Sequence, residues 1–233
     1  MNFMQNRLMQ KIIALVALMI LSHCALGQNT VRYFKFWDNT VIIGSLSENK
    51  KWKYYLEPNI RLIARRKKFD EGLIYAGFGY QFTPNAIFFL GDAWITTQTL
   101  QARYMRENRV WQQILWNALT SPRLNLIVRL RLEERKDISQ PRWAMRWRQR
   151  LMFRIPFGTE SRYSLVLFDE MFFNLNHPSW VSNRVLEQNR AFIGIGTRIS
   201  KYSNLDVGYL NQTRFAATGQ INHVLLISFA MNY

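Results

Sequence analysis

The sequence predicts an all-β fold, a single antiparallel barrel of ten to twelve strands, from three observations. Apolar and polar residues alternate along most of the chain, the alternating runs are long, and turn-rich pieces separate them. A period of two places one set of side chains on each face of a strand, whereas a helix would spread both sets around its circumference. The same unit repeats from Val31 to the end of the chain.

Residues 1–27, which precede the first run, predict a secretory signal peptide that is removed. Arg7 and Lys11 lie in a segment without acidic residues, an eleven-residue core follows (IIALVALMILS), and "ALGQ" allows cleavage after Gly27. This core is too short for a spanning helix. A lipoprotein signal at "LSHC" is disfavoured because His23 fits poorly before a lipidated cysteine. Residues 28–233 then form one barrel domain.

The cysteine count and the net charge limit the functional classes to which the protein can belong. Cys24 is the single cysteine and would leave with the signal, which excludes disulfides, thiolate chemistry and cysteine-based zinc sites from the mature chain. The formal net charge of +16 falls to +14 when Arg7 and Lys11 are removed. The arginines alternate with apolar residues inside strands, which disfavours a nucleic-acid surface and favours contacts with lipid headgroups.

Eleven strand-like runs follow the signal. They cover residues 32–46, 52–65, 71–83, 87–98, 107–119, 124–135, 141–156, 162–174, 186–199, 203–214 and 221–233. Most are a dozen residues or longer, against about five or six in soluble proteins. A tilted transmembrane strand needs roughly 9 to 11 residues, so the lengths favour a transmembrane barrel.

The connections and the aromatic residues agree with this interpretation. Five short turns ("SENKK", "TPNA", "TSPR", "FGTES", "KYSN") occupy every second junction, and the junctions between them are mostly longer. Short turns on one rim and longer loops on the other are typical of an outer-membrane barrel. Trp52, Tyr80 and Phe88 lie near predicted strand ends, where aromatic belts meet the membrane interfaces.

The strand count follows from the even numbers of single-chain bacterial barrels. Eleven runs become ten if the first is not a full strand, or twelve if residues 30–48 fold as two strands around Asp38 and Asn39. We expect twelve.

Two neighbouring strands, residues 124–156, define the inside of the barrel. Within each of the two strands, leucine or tryptophan alternates with arginine, so that the apolar residues share one face and the arginines share the other. With the apolar parity on lipid, the predicted lumen-lining residues are Arg129, Arg131, Glu133, Arg142, Arg146, Arg148, Arg150, Arg154, Glu170 and Arg190. The same parity places Asp169 on the lipid side, which a bulge or a position beyond the membrane edge would resolve.

The last strand carries a separate signal. Its apolar face consists of Leu225, Ile227, Phe229, Met231 and Tyr233, and it ends on a terminal aromatic residue. This pattern resembles the C-terminal signature by which the assembly machinery recognises outer-membrane barrels, so we predict that machinery as a partner.

Motifs for catalysis are weak. Glu133 and Glu170 could form an acid/base pair, but carboxylates paired with arginine stay ionised and make poor proton donors. His177 and His223 have no local motif that would supply the rest of a hydrolase triad. The glycine motifs "GFG" and "GIG" lie inside strands without a following helix to receive a phosphate. We therefore predict no catalytic residue, no metal site and no cofactor.

Several segments together resemble a known family. These are "RLRLEER", "RWRQRLMFRIP", "LFDEMFFN", "EQNRAFIGIG" and "VGYLNQ", in that order from Arg129 to Gln212. They are similar to the bacterial domain-of-unknown-function family twenty-four ninety, most closely from about Trp111 onward. The resemblance implies an outer-membrane barrel and carries no activity.

The sequence thus predicts a barrel in the bacterial outer membrane, with a structural role or a role as a narrow pore for anions or other small solutes. Its expected partners are outer-membrane lipid, the assembly machinery and a small anionic solute. The alternatives are a lipid-modifying enzyme of the outer membrane and a soluble periplasmic binding barrel.

Overall fold

A computed structural model describes residues 30–64, 68–98, 103–216 and 219–233. The predicted signal peptide lies outside these residues. The strands are β1 (Thr30–Ser45), β2 (Trp52–Ile63), β3 (Lys68–Thr83), β4 (Ala86–Gln98), β5 (Tyr104–Thr120), β6 (Asn125–Asp137), β7 (Ala144–Pro156), β8 (Tyr163–Asn174), β9 (Leu186–Arg198), β10 (Ser203–Arg214) and β11 (Gly219–Asn232). Within the described ranges, no helix is long and apolar enough to cross a membrane.

The strands form one closed barrel, which confirms the predicted all-β barrel. Each strand pairs antiparallel with its neighbours in the chain, and β1 closes the barrel by pairing with β11. That closing pair is parallel and runs from Thr30 opposite Gly219 to Ile43 opposite Asn232. We call this pair the parallel seam.

The expected twelve strands are corrected to eleven in the described part of the chain. β1 passes through Asp38 and Asn39 without a turn, because both residues fit within an extended strand. The Asn39 side-chain amide donates to the Ser228 hydroxyl across the parallel seam at 3.1 Å. An odd number of alternating strands leaves the first and last strands pointing the same way, so closure by a parallel pair follows.

The barrel has an N-terminal rim, where β1 begins, and a C-terminal rim, where β11 ends. The C-terminal rim carries the connections 46–51, 84–85, 121–124, 157–162 and 199–202, and the N-terminal rim carries 64–67, 99–103, 138–143, 175–185 and 215–218. The predicted contrast in loop length holds for one connection, the eleven-residue loop 175–185. The other N-terminal connections are as short as those of the opposite rim.

The two faces of the barrel wall have opposite character. Large apolar side chains point outward and are exposed, as with Phe34 at 68% and Phe78 at 69%. Charged side chains point inward, and Arg131 and Glu133 have no exposed surface. A soluble protein places these residue types the other way round, whereas a transmembrane barrel has an apolar outside and a polar inside.

Apolar residues form two clusters in the lumen beside the charged side chains. One cluster centres on Tyr55, Tyr75, Phe89 and Trp111, on β2 to β5. A Cβ atom at Gly91 would lie 2.5 Å from the Trp111 ring, so the missing side chain is what admits the indole. A second cluster lies on β8 to β11 and β1: Trp37, Val166, Phe192, Leu210, Val224 and Leu226.

Asp169 keeps the outward parity without a bulge at its position. It pairs in regular register with Leu151 and Ala191, and the β8 irregularity falls between Phe172 and Phe173. The Asn189 side-chain amide donates to both carboxylate oxygens, at 2.9 and 3.0 Å. A hydrogen bond on the outer face therefore accommodates this carboxylate, in place of the predicted bulge.

Candidate functional site

The predicted lumen residues are placed by β6 to β9. Six of them are buried inside the barrel: Arg129, Arg131, Glu133, Arg146, Arg148 and Glu170. Arg150, Arg154 and Arg190 are partly buried and face the lumen cavity. Arg142 is exposed, because it lies in the turn that precedes β7 rather than in the strand.

Strand register aligns these side chains in rows across the wall. One row runs from Arg129 through Arg150 and Glu170 to Arg190, each residue directly opposite the next. We call it the arginine row. The adjacent row towards the N-terminal rim contains Arg148, and the one after it contains Arg146. Residues directly opposite each other on one face have Cβ atoms about 4.5–5.5 Å apart, so this packing brings several guanidinium groups together.

Glu133 lies at the centre of the ion pairs. Its Oε2 accepts hydrogen bonds from Arg146 Nε at 3.0 Å and Nη2 at 2.5 Å, and its Oε1 accepts one from Arg148. Guanidinium nitrogens of Arg109 and Arg131 lie 3.7 and 3.8 Å from the carboxylate. Four arginines thus surround one fully buried carboxylate.

Glu170 forms the second centre. Its Oε1 accepts hydrogen bonds from Arg129 Nη2 at 2.8 Å and from Arg148 Nε and Nη2 at 3.1 and 2.9 Å. Its other oxygen lies 3.9 Å from Arg190 Nη1. Because Arg148 bonds to both Glu133 and Glu170, the two centres belong to one connected network.

The network continues to the N-terminal rim. Glu187 accepts a hydrogen bond from Arg146 Nη1 at 2.8 Å, although its position in β9 predicts an outward side chain. The bulge between Phe172 and Phe173 shifts the register there and turns Glu187 inward. Trp180, from the loop 175–185, places its ring 5.3 Å from the Arg135 guanidinium. An aromatic side chain from this loop therefore lies over Arg135 near the N-terminal rim.

Aromatic side chains pack against the opposite side of the network. The Arg131 guanidinium lies 4.7 Å from the Tyr75 ring centre and 4.8 Å from that of Trp111. It donates to Gln113 Oε1 at 2.8 Å and to Glu57 Oε2 at 3.0 Å. Cation–π contacts of this kind are stronger away from water.

Five members of the network were absent from the ten predicted lumen-lining residues: Glu57, Glu107, Arg109, Arg135 and Glu187. Arg109 and Arg135 both donate to Glu107, at 2.6 and 2.7 Å. Their signal was present in the sequence, because Glu107 and Arg109 share the inward parity of β5 with the buried Trp111.

The network carries more positive than negative charge. Ion pairs link seven arginines, Arg109, Arg129, Arg131, Arg135, Arg146, Arg148 and Arg190, to five glutamates, Glu57, Glu107, Glu133, Glu170 and Glu187. Arg150 stands in the arginine row outside these ion pairs and stacks over the Phe168 ring at 5.5 Å. Eight arginines against five glutamates leave an excess of three positive charges, and buried charge in excess calls for a counter-charge.

A cavity of about 500 Å³ runs beside the network. Near the C-terminal rim it is lined by Asn85 and Tyr202, and near the N-terminal rim by Thr97 and Arg214. Its middle is lined by the arginine row and by part of the second apolar cluster. The site thus joins guanidinium groups and apolar side chains around one space.

The two histidines considered for catalysis lie away from this cavity. His223 is on the outer face, where its Nδ1 is hydrogen-bonded to the Tyr209 hydroxyl at 2.7 Å and its ring stacks on Phe34. His177 is in the loop 175–185, with Nδ1 3.2 Å from the Ser182 carbonyl oxygen. Among the described residues, no group of three or more His, Cys, Asp or Glu side chains is placed to hold a metal ion.

Comparison with known proteins places the chain in a family. The chain is 26% identical over 202 residues to an uncharacterized protein of Methylorubrum extorquens, covering 85% of this chain and 87% of that protein. No solved structure matches the sequence. Residues 34–223 match the family described as "Protein of unknown function (DUF2490)". The match spans all or part of each of the eleven strands, and the chain belongs to this family.

Proposed function

We propose that the protein is an outer-membrane barrel whose lumen is a narrow passage for small anions. The observation that carries the proposal is the excess of arginine over glutamate around a cavity with lining residues near both rims. Charged side chains that line a polar path select ions of the opposite sign. A wide porin-like channel is not proposed, because aromatic rings and ion pairs fill much of the cross-section.

The reversed polarity of the wall supports the membrane location. Water does not stabilise an apolar outer face. The lipid interior would bury exposed side chains such as Phe78 and Ile193 without burying polar groups. The proposal predicts that the protein is extracted from cells by detergent and not by high salt or carbonate. Release by salt alone would favour the soluble periplasmic alternative.

Conductance tests the passage directly. We expect the protein refolded into a planar bilayer under a KCl gradient to give a steady conductance with an anion-selective reversal potential. The combined substitutions Arg150→Gln and Arg190→Gln should move the reversal potential towards zero, since two charges of the arginine row are lost. Arg162→Gln, at the exposed C-terminal rim, is the matched control and should leave selectivity unchanged.

Arg146 and Arg148 are poor choices for this test. Each holds the carboxylate of Glu133, so that neutralising them leaves a buried negative charge and alters folding as well as selectivity. A well-folded barrel without conductance would overturn the passage and favour a structural role for the ion network. Cation selectivity would overturn it as well.

A further inference from the structure

We infer that the arginine row and the apolar cluster beside it form a binding site for a small carboxylate with an apolar body. This inference deepens the proposed passage and rests on it for access of the ligand to the lumen. The site comprises Arg129, Arg150, Arg190 and Trp37 as donors, with Phe168 and Phe192 as the apolar surface. All six side chains line the same cavity.

Four buried N–H groups in the site have no hydrogen-bond acceptor among the described residues. They are the Nε atoms of Arg129, Arg150 and Arg190 and the Nε1 atom of Trp37. Buried donors in folded proteins nearly always have a partner, and an unpaired donor lowers stability. The side chains that carry these four donors line one cavity, which points to an acceptor bound there rather than one within the described residues.

The donors belong to neighbouring positions. Arg129 and Arg150 are directly opposite each other on β6 and β7, and Arg150 and Arg190 both lie opposite Glu170. The Arg190 guanidinium is 5.0 Å from the Trp37 ring centre. Four strands thus bring the donors to one level of the lumen.

The local charge favours a negatively charged ligand. Glu170 uses one oxygen for Arg129 and Arg148, and its other oxygen lies 3.9 Å from Arg190. Arg150 has no carboxylate within ion-pair distance in the described structure and contacts the face of Phe168. A carboxylate accepts two parallel bonds from a guanidinium, so one bound carboxylate would satisfy donors that Glu170 leaves free.

The remainder of the site is apolar. The Phe168 and Phe192 rings stack with centres 4.9 Å apart, and Phe192 packs in the cluster that contains Leu210 and Leu226. Leu210 and Leu226 also line the cavity. The cavity volume of about 500 Å³ falls within the range of roughly 300–1,000 Å³ that is usual for ligand pockets. An inorganic anion would leave this apolar surface unused, whereas an apolar body on the carboxylate would cover it.

Binding to the full chain in lipid nanodiscs tests the site, with 4-phenylbutyrate as the probe and calorimetry as the readout. We expect saturable binding after subtraction of empty nanodiscs. Arg150→Gln should weaken it roughly tenfold or more, since one charged hydrogen-bonding group is lost. Trp37→Phe keeps an aromatic ring, removes the Nε1 donor and should weaken binding by a smaller factor. Arg162→Gln should bind as the parent protein does.

Two further probes separate the parts of the inference. The neutral amide 4-phenylbutyramide should bind at least tenfold more weakly, and equal binding would overturn the role of the arginines. Potassium sulfate should compete poorly, and equally tight sulfate binding would overturn the role of the apolar surface. Circular dichroism identifies variants that fail to fold. If either Arg150→Gln or Trp37→Phe fails to fold, the binding measured with the other variant decides the test.

The outcome is independent of conductance. Probe binding without conductance would overturn the passage and leave the site standing. Anion conductance without probe binding would do the reverse. Binding that persists unchanged in folded Arg150→Gln and Trp37→Phe would overturn the site.

Discussion

Aromatic rings predominate in the β2 to β5 half of the lumen, whereas arginine and glutamate predominate in the β6 to β9 half. In the aromatic half, Tyr55 lies 5.2 Å from Phe89 and 5.1 Å from Trp111, measured between ring centres. In the ionic half, Glu133 and Glu170 each contact several guanidinium groups. In both halves, side chains occupy much of the interior of a narrow barrel.

The two halves differ in what each residue requires of its neighbours. An aromatic ring is stabilised by contact area, which many neighbours supply in small amounts. A buried charge is stabilised by particular partners, and removal of one partner leaves the others uncompensated. The aromatic half should therefore respond to changes in volume, and the ionic half to changes in charge.

The largest expected effect is in the ionic half, on removal of Glu133. Glu133→Ala should lower the free energy of unfolding by about 3–5 kcal/mol, because Arg146 and Arg148 lose a shared buried carboxylate. Urea titration of the refolded protein in vesicles measures this. Glu134→Ala, at the adjacent position with the opposite parity, is the control and should change stability by less than about 0.5 kcal/mol. Equal effects would show that the network contributes no more than an isolated charge.

An intermediate effect is expected in the aromatic half, from added volume. Gly91→Ala should destabilise the barrel by about 1–3 kcal/mol, because the new methyl group would overlap both the Trp111 ring and the Ala76 carbonyl oxygen. Gly158→Ala is the matched control, since nothing lies within 4 Å of a Cβ at that position. If both substitutions have the same effect in urea titration, the aromatic half is more loosely packed than described.

The smallest expected effect is a gain in stability, on replacement of Arg150. It distinguishes Arg150 from the arginines that form ion pairs. Arg150→Met should raise the free energy of unfolding by about 1 kcal/mol in the ligand-free protein, since an arginine outside the ion pairs is replaced by an apolar side chain beside Phe168. Arg148→Met, at the next inward position, should instead destabilise the barrel, because it uncovers Glu133 and Glu170. A loss of stability in both variants would place Arg150 within the network.

Much of this contrast could be predicted from the sequence where a strand alternates cleanly. β6 and β7 alternate arginine with leucine or tryptophan, so the inward positions of Arg129 and Arg148 follow from parity. The aromatic half was harder to predict, because aromatic residues occur at both parities of β3 and β4. There the pattern indicates a strand without indicating which rings enter the lumen.

The remaining differences have local causes. Glu187 turns inward because of a bulge, which adds a residue to one strand. The amino-acid sequence of that strand carries no signature from which the bulge could be predicted. Arg142 shares the parity of the lumen residues but precedes the first residue of β7. The strand count rested on the rule of even numbers, and parity says nothing about how the first strand meets the last.

The parallel seam has a consequence for engineering. In a barrel with an even number of strands, the two chain ends lie at the same rim and a short peptide can join them. Here Thr30 is opposite Gly219, and Asn232 lies thirteen positions further along β11, which is about 43 Å at 3.3 Å per residue. A linker between the ends would need at least about 13 extended residues and would have to run through the lumen or along the outer face. A circular permutation that joins Asn232 to Thr30 should therefore fail in this barrel, and affinity tags placed at these two strand ends should be accessible at opposite rims.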